Sequence, residues 1–186
     1  YEDDHLLFVN KPAGMVTHPA PGNYTGALVN AVLFHAKSLE DTGHAMRPGI
    51  VHRLDKGTSG VMVVAKDRKT HEGLVLLFSK HEIERVYEAV LIGKKVPAVA
   101  GTLEGPIGRH PHNRLKMAIN SGGKSAKTYY KILKQSGALF HTEFKLETGR
   151  THQIRVHSST LLNMPILMDP ILSLIHISEP TRQDRI

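Results

Sequence analysis

The sequence feature that most constrains this chain is a polar segment of nine residues, 52–60 (HRLDKGTSG), which directly precedes an apolar run at 61–65 (VMVVA). The apolar run is rich in valine, which favours a β-strand. Gly57 and Gly60 allow the backbone to turn sharply and a ligand to approach closely. Asp55 lies between two cationic residues, and nearby positive charge keeps a carboxylate ionised. The segment therefore indicates either a charged turn between two strands or a nucleophilic aspartate that faces a polyanion.

The charge of the chain favours a polyanionic partner. Its 186 residues include 24 Lys and Arg against 17 Asp and Glu, which gives a formal net charge of +7. Such a surplus is typical of nucleic-acid-binding proteins, although many basic proteins bind no polyanion. The absence of cysteine excludes disulfides and thiolate metal sites and fits a reducing compartment, either the cytoplasm or an organelle. Because no apolar stretch is long enough to span a bilayer and no signal or transit peptide is visible, we expect no contact with a membrane.

The order of apolar runs and helical patterns predicts a mixed fold. Strands are expected at 6–9, 61–65, 86–92, 127–133 and 139–146, and helices at 27–36, from 67 to about 80, and from 151 onward. Thr25, Asp67 and Thr151 are the candidate helix caps, because their side-chain oxygens can accept the first free amides of a helix. The glycines and prolines between 96 and 108 predict turns. Because strands and helices alternate irregularly, the pattern favours the α+β class over a βαβ repeat.

Three further segments, together with HRLDKGTSG, carry a family resemblance. They are 10–19 (NKPAGMVTHP), 85–90 (RVYEAV) and 146–157 (LETGRTHQIRVH). In this order and at this spacing, the four segments resemble the RluA-type family of RNA pseudouridine synthases. The resemblance extends from residue 1 to about residue 170. The segment at 46–55 is most similar to synthases that modify a stem-loop of large-subunit ribosomal RNA.

The resemblance implies a fold and a domain boundary. We expect one α+β catalytic domain at 1–171, with a mixed, largely antiparallel central sheet and flanking helices, and without the last strands of the family. Met168 stands where the family usually has glycine before Asp169 and Pro170. Residues 172–186 look like translated adapter sequence and are expected to be an artefactual or disordered tail. The alternative is a genuine divergent tail.

The resemblance also implies a reaction and its catalytic residues. In pseudouridine formation, uracil is detached from C1′ of its ribose, rotated and rejoined through C5, so we expect no cofactor and no metal. By resemblance, Asp55 is the catalytic aspartate, which either attacks C1′ or helps to remove a proton from the sugar. Arg155 is expected to pair with this aspartate, which would lower the carboxyl pKa. Tyr87 is expected to stack on the base and to act in proton transfer, with a buried structural tyrosine as the alternative.

The target uridine must leave its stack before it can react. By resemblance, Arg53 enters the RNA beside the flipped base. His52 is expected either to orient this loop or to make a simple backbone contact, and Lys11 to act as scaffold or to contact the RNA backbone. The predicted RNA-binding residues are thus Arg53, His52, Lys56, Lys11, Arg150 and Lys116. For Lys56 and Lys116, a solvated basic surface is the alternative.

Two other interpretations of the sequence are weaker. Residues 122–125 (GGKS) resemble the end of a phosphate-binding loop, but Ala118 stands where that motif needs glycine. The histidines lack the spacing of a zinc motif. We expect a monomeric enzyme that isomerises uridines in structured RNA. The alternatives are an RNA-binding protein that only remodels RNA, and an inactive fragment.

Overall fold

The apolar runs form antiparallel pairs of strands in the part of the chain that the structure describes. This computed structural model describes residues 1–20, 22–36, 39, 47–94, 98–113 and 116–172. They fall into two compact units, with the boundary between residues 83 and 84. Helices accompany the strands in both units, which confirms the predicted α+β class. Apart from Leu172, the tail predicted at 172–186 lies outside the described residues.

The first unit is built on a pair of strands. Strand β1 (Leu6–Lys11) runs antiparallel to β2 (Gly60–Ala65), with Lys11 opposite Gly60. Residues 62–65 of β2 are all buried, so this strand is a continuous apolar run rather than an alternating one. The register brings the end of β1 next to the polar segment that precedes β2.

Two helices accompany these strands among the residues of the first unit that the structure describes, and one of their two predicted caps is confirmed. Helix α2 (Arg68–Ser79) begins where Asp67 accepts a hydrogen bond from the Thr70 amide at 2.8 Å. Helix α1 (Leu28–His35) begins after Ala27, so the predicted Thr25 cap is wrong. The first amides of α1 donate instead to the carbonyls of residues 16 and 17, which leaves no need for a hydroxyl cap.

The described part of the second unit contains a four-stranded antiparallel sheet, a small hairpin and one helix. The sheet has the strand order β3-β8-β7-β4, and β5 pairs with β6. Leu91, Phe140 and Phe144 lie fully buried at the centre of its core. The strands are β3 (Val86–Ile92), β4 (Ala100–Glu104), β5 (Ile107–Arg109), β6 (Met117–Ile119), β7 (Lys127–Ser136) and β8 (Leu139–Leu146), and the helix is α3 (Gln153–Leu161).

The turns predicted at 96–108 are wrong for most of the residues described there, because β4 and the start of β5 occupy this stretch. Gly101 lies within β4, and a Cβ atom there would come within 2.9 Å of the Tyr130 ring. At Gly105, a Cβ atom would come within 2.8 Å of Ile119. Both glycines therefore make room for a neighbouring side chain, a role that a sequence cannot distinguish from a turn.

The end of the described chain runs along the outer edge of β3. The amide of Ile92 donates to the Pro165 carbonyl at 3.0 Å, and the Leu167 amide donates to Val90 at 2.8 Å. Met168 follows with a φ of 61°, in the left-handed region that glycine adopts without steric cost. This backbone conformation gives a physical reason for the glycine expected at position 168. No helix in the described residues is long and apolar enough to cross a membrane.

Candidate active site

The loop that carries Asp55 is held in place from within the first unit. Thr17 is buried, and its hydroxyl donates a hydrogen bond of 3.0 Å to the carbonyl of Leu54. The Thr58 amide donates to the Asp55 carbonyl at 3.0 Å and closes a turn. Asp55 itself is half-buried. The first motif (10–19) therefore has a structural role, because its Thr17 fixes the residue next to the predicted catalytic aspartate.

Lys11 is a buried cation close to this aspartate. It has no exposed surface, and its ammonium group donates to the carbonyls of Pro12 and Met15 at 2.9 and 2.8 Å. Burial lowers the pKa of Lys11, and the negative charge of Asp55 opposes this shift. Of the two predicted roles, these contacts support the scaffold. The predicted contact of Lys11 with RNA stays a prediction.

His52 orients the same loop through a backbone contact. Its Nε2 atom accepts a hydrogen bond of 3.1 Å from the Val63 amide, and its ring stacks on Phe78 with centroids 4.8 Å apart. The loop is thereby tied to both β2 and α2. The hydrogen bond from the Val63 amide is a backbone contact that also orients the loop, so it combines the two roles predicted for His52. The contact of His52 with RNA stays a prediction.

The surface around this loop is positively charged. Arg53 and Lys56 are exposed, and the Lys56 ammonium donates to the Asn23 amide oxygen at 2.9 Å. Burial lowers the pKa of His18, and the positive charges of Arg47 and Arg53 lower it further. Arg47 lies only six positions before Arg53 but was not among the predicted site residues. This cluster of cations suits a phosphate backbone.

Tyr87 lies on β3 in the second unit. It is half-buried, stands opposite Phe144 in the sheet register, and packs against the apolar core. The neighbouring Arg85 donates to the carbonyls of Leu146 and Glu147 at 3.4 and 2.8 Å. Because the ring of Tyr87 packs against this core, it has a structural role. Its role at the substrate stays a prediction.

Arg155 forms a forked ion pair with Asp169. Its Nε and Nη2 atoms donate to the two carboxylate oxygens at 2.7 and 2.8 Å, and the two side chains are only 16% and 3% exposed. Burial alone would raise the pKa of Asp169, but hydrogen bonds from Arg155 and from the amides of Ile171 and Leu172 outweigh it and hold the pKa below its ordinary value. Asp169 was not among the predicted site residues. Because Asp55 and Arg155 belong to different units, their pairing stays a prediction.

A chain of buried hydrogen bonds holds the start of α3. The Gln153 amide nitrogen donates to the Thr128 hydroxyl at 2.9 Å, which lies 3.0 Å from Nδ1 of His157. Nε2 of His157 lies 3.2 Å from the Gly105 carbonyl. Because that carbonyl can only accept, Nε2 carries the proton and Nδ1 accepts from Thr128. Burial lowers the pKa of His157, which agrees with a neutral ring.

The same glutamine anchors the loop that precedes α3. Its side-chain oxygen accepts hydrogen bonds from the Thr148 hydroxyl at 2.8 Å and from the Arg150 amide at 2.9 Å. Helix α3 begins after His152, which has a φ of 57° and makes no side-chain cap, so the predicted Thr151 cap is wrong. The GRTHQIRVH motif thus uses Gln153 and His157 to fix the helix that carries Arg155.

Comparison with known proteins identifies the family. A sequence model described as RNA pseudouridylate synthase matches residues 5–160, which include Asp55, Tyr87 and Arg155. The chain belongs to the RNA pseudouridylate synthase family. This match confirms the resemblance inferred from the four motifs.

Curated relatives and solved structures agree with this assignment. Ribosomal large subunit pseudouridine synthase D of Pseudomonas aeruginosa is 48% identical over 171 residues, which cover 92% of this chain and 52% of the relative. The protein of the same name from Zymomonas mobilis is 49% identical over 174 residues, with 92% and 54% covered. The chain therefore spans about half the length of these curated relatives. The structure of human RNA Pseudouridylate Synthase Domain Containing 4 matches 95% of this chain and 69% of its own, with a TM-score of 0.74 and 29% identity, which confirms the synthase fold.

The predicted site residues of this synthase-family chain fall into two groups. Lys11, His52, Arg53, Asp55 and Lys56 come together in the first unit. The second unit holds Tyr87, Lys116, Arg150 and Arg155. The residues that sequence reasoning missed are mostly positioning groups, namely Thr17, Arg47, Thr128, Gln153, His157 and Asp169. All but Thr128 lie within or close to a quoted motif. This proximity is the sequence signal that could have identified them as positioning residues.

The buried network predicts a stability effect at Thr128. Thr128→Val keeps the shape of the side chain but leaves Nδ1 of His157 without a donor. It also removes one of the two acceptors of the Gln153 amide, whose other acceptor is the Lys127 carbonyl at 2.9 Å. We expect it to lower the free energy of unfolding by about 1–3 kcal/mol, measured by urea denaturation. Thr102→Val, on an exposed position of β4, is the matched control and should stay within about 0.5 kcal/mol. Equal effects of the two substitutions would contradict the network.

Proposed function

We propose that this chain isomerises specific uridines of large-subunit ribosomal RNA to pseudouridine. The observation that carries the proposal is the position of Asp55, half-buried in a closed turn between the exposed cations Arg53 and Lys56, in a chain that belongs to the RNA pseudouridylate synthase family. The names of the curated relatives support the choice of large-subunit ribosomal RNA.

The reaction conserves the atoms of the nucleotide. The bond between C1′ and N1 breaks, the bond between C1′ and C5 forms, and the proton lost from C5 is balanced by one gained at N1. Asp55 acts either by bonding to C1′ or by removing a proton from the sugar. Because nothing is oxidised and no group leaves, the proposed reaction requires no nucleotide or redox cofactor.

The RNA must present an everted uridine. Extruding a nucleotide costs a few kcal/mol, and contacts with the remaining stack offset part of this cost. Arg53 is exposed and adjacent to the aspartate loop, and its planar guanidinium suits stacking on a base or contact with a phosphate. We propose that it occupies the space that the uridine leaves.

The test is conversion of uridine by the purified chain. Unmodified large-subunit ribosomal RNA transcript is incubated with the protein, treated with carbodiimide, and examined by primer extension, because the isomer has unchanged mass. Stops at specific uridines are expected in the presence of protein and not in its absence. Binding of the transcript without any stop would contradict the proposed activity and support the RNA-remodelling alternative.

A further inference from the structure

A groove in the second unit contains none of the proposed catalytic residues. Its volume is about 420 Å³, which lies in the range of small-ligand sites. It carries two cations, and no carboxylate lies among the described residues that line it. The lining residues are Ile107, Gly108, Met117, Gly122, Gly123, Lys124, Gly149, Arg150 and Thr151.

One rim of the groove is a rigid loop that places Lys124. The backbone of Lys124 exchanges two hydrogen bonds with Ile107, at 2.9 and 3.0 Å. A Cβ atom at Gly123 would come within 2.6 Å of the Ile107 oxygen, so glycine lets this loop lie directly on β5. The Asn120 side chain accepts from the Gly122 amide at 2.9 Å. The position of Lys124 is therefore fixed by its backbone, and its exposed ammonium group can turn towards a ligand.

Arg150 is held next to this loop. Its Nε atom donates to the Ser125 carbonyl at 2.9 Å, and its amide donates to Gln153 at 2.9 Å. The buried network around Gln153 thus fixes the backbone of Arg150 as well. Two cations that line one groove and whose backbones are fixed by hydrogen bonds form a preorganised site for an anion.

We propose that this groove binds a phosphodiester of the RNA strand, as a subsite separate from the catalytic residues. The inference rests on the proposed function. Lys124 and Arg150 contact the phosphate. Met117 and Ile107 supply an apolar floor for the adjoining sugar or base. RNA is favoured because its repeating phosphates match a groove whose described lining is cationic and holds no acidic residue.

The test measures RNA binding as a function of salt. Fluorescence anisotropy follows binding of a labelled, unmodified large-subunit ribosomal RNA fragment by the full chain and by Lys124→Gln, Arg150→Gln and the double variant. Each single substitution is expected to raise Kd roughly threefold to tenfold. It should also reduce the slope of log Kd against log salt by about 0.7–0.9, because one phosphate contact is lost. A purely structural defect would leave this slope unchanged.

Lys134→Gln is the matched control, because it removes one charge from an exposed position of β7 outside the groove. It should keep the wild-type salt slope. Lys124→Gln tests the groove even where Arg150→Gln impairs folding, because the backbone contacts of Lys124 remain. A wild-type slope for Lys124→Gln, or a wild-type chain that fails to bind RNA at low salt, would overturn the proposal. Binding with these slopes but without uridine conversion would instead refute the proposed function alone.

Discussion

Asp55→Asn is expected to lower the rate of pseudouridine formation by on the order of 10³-fold or more, while Kd for RNA changes less than about threefold. The amide has the size of the carboxylate but can neither bond to C1′ as a nucleophile nor accept a proton from the sugar. The rate is measured under single-turnover conditions by carbodiimide treatment and primer extension. Asp4→Asn, at an exposed position of the same unit, is the matched control and should retain the wild-type rate.

The position of Lys11 makes a second variant necessary. Because Asp55 favours the charged form of this buried ammonium group, Asp55→Asn is also expected to lower the melting temperature. Asp55→Glu keeps the negative charge but moves the carboxylate by one methylene. It should therefore melt close to wild type and still lose most of the activity. This pair of variants separates the electrostatic role of Asp55 from its proposed chemical role.

Two outcomes would contradict the proposed role of Asp55. Conversion by Asp55→Asn at the wild-type rate would exclude the aspartate from the chemistry. If Asp55→Glu is fully active and Asp55→Asn does not fold, the role of Asp55 is only to balance the charge of Lys11. Loss of activity in both variants, with RNA binding retained, is the expected result.

Features that a few neighbouring residues decide were predictable from the sequence. The apolar run at 61–65 forms β2, and Asp67 caps α2 as expected. In both cases the physical cause is local, because burial of consecutive apolar side chains and capping of a free amide involve residues within one or two turns. The family motifs likewise led to the family and the fold, which the comparisons confirm.

Features that depend on distant residues were not predictable. Thr151 has the side chain of a helix cap, but His152 stands at the N-cap of α3 and makes no side-chain cap. Gln153 instead ties the start of the helix to β7, more than twenty residues away. The glycine at 101 suggests a turn until the ring of Tyr130 is placed beside it. Spacing along the chain also gives no measure of burial, so the sequence did not indicate that Lys11 has no exposed surface.

Asp169, the buried partner of Arg155, was also not predicted from the sequence. Its position predicts that a substitution there causes a large loss of stability. Asp169→Asn keeps the shape of the side chain but removes the charge that the buried guanidinium faces. We expect it to lower the free energy of unfolding by about 3–5 kcal/mol, because the guanidinium of Arg155 then loses the anionic partner of a buried ion pair. Glu84→Gln breaks the exposed pair of Glu84 with Lys145, whose side chains are 62% and 54% exposed, and should cost less than about 1 kcal/mol.

The effect of Asp169→Asn should depend on pH with a defined sign. The folded state lowers the pKa of Asp169, so the ionised carboxylate stabilises the fold above the unfolded pKa of about 3.9. This contribution is lost as the pH falls through the lower pKa of the folded state. Urea denaturation at a series of pH values should therefore show a constant difference between wild type and variant near neutral pH, which closes under strongly acid conditions.

A double variant separates the structural role of Arg155 from its proposed role at the substrate. Arg155→Met removes the buried cation, so Arg155→Met combined with Asp169→Asn should recover part of the stability that either single substitution loses. The asparagine oxygen can still accept from the Ile171 and Leu172 amides. If Arg155 also acts on the substrate or on Asp55, the double variant stays inactive although it folds. Recovery of activity together with stability would assign Arg155 to the fold alone, because a residue that acts only through the ion pair is dispensable once both partners are neutral.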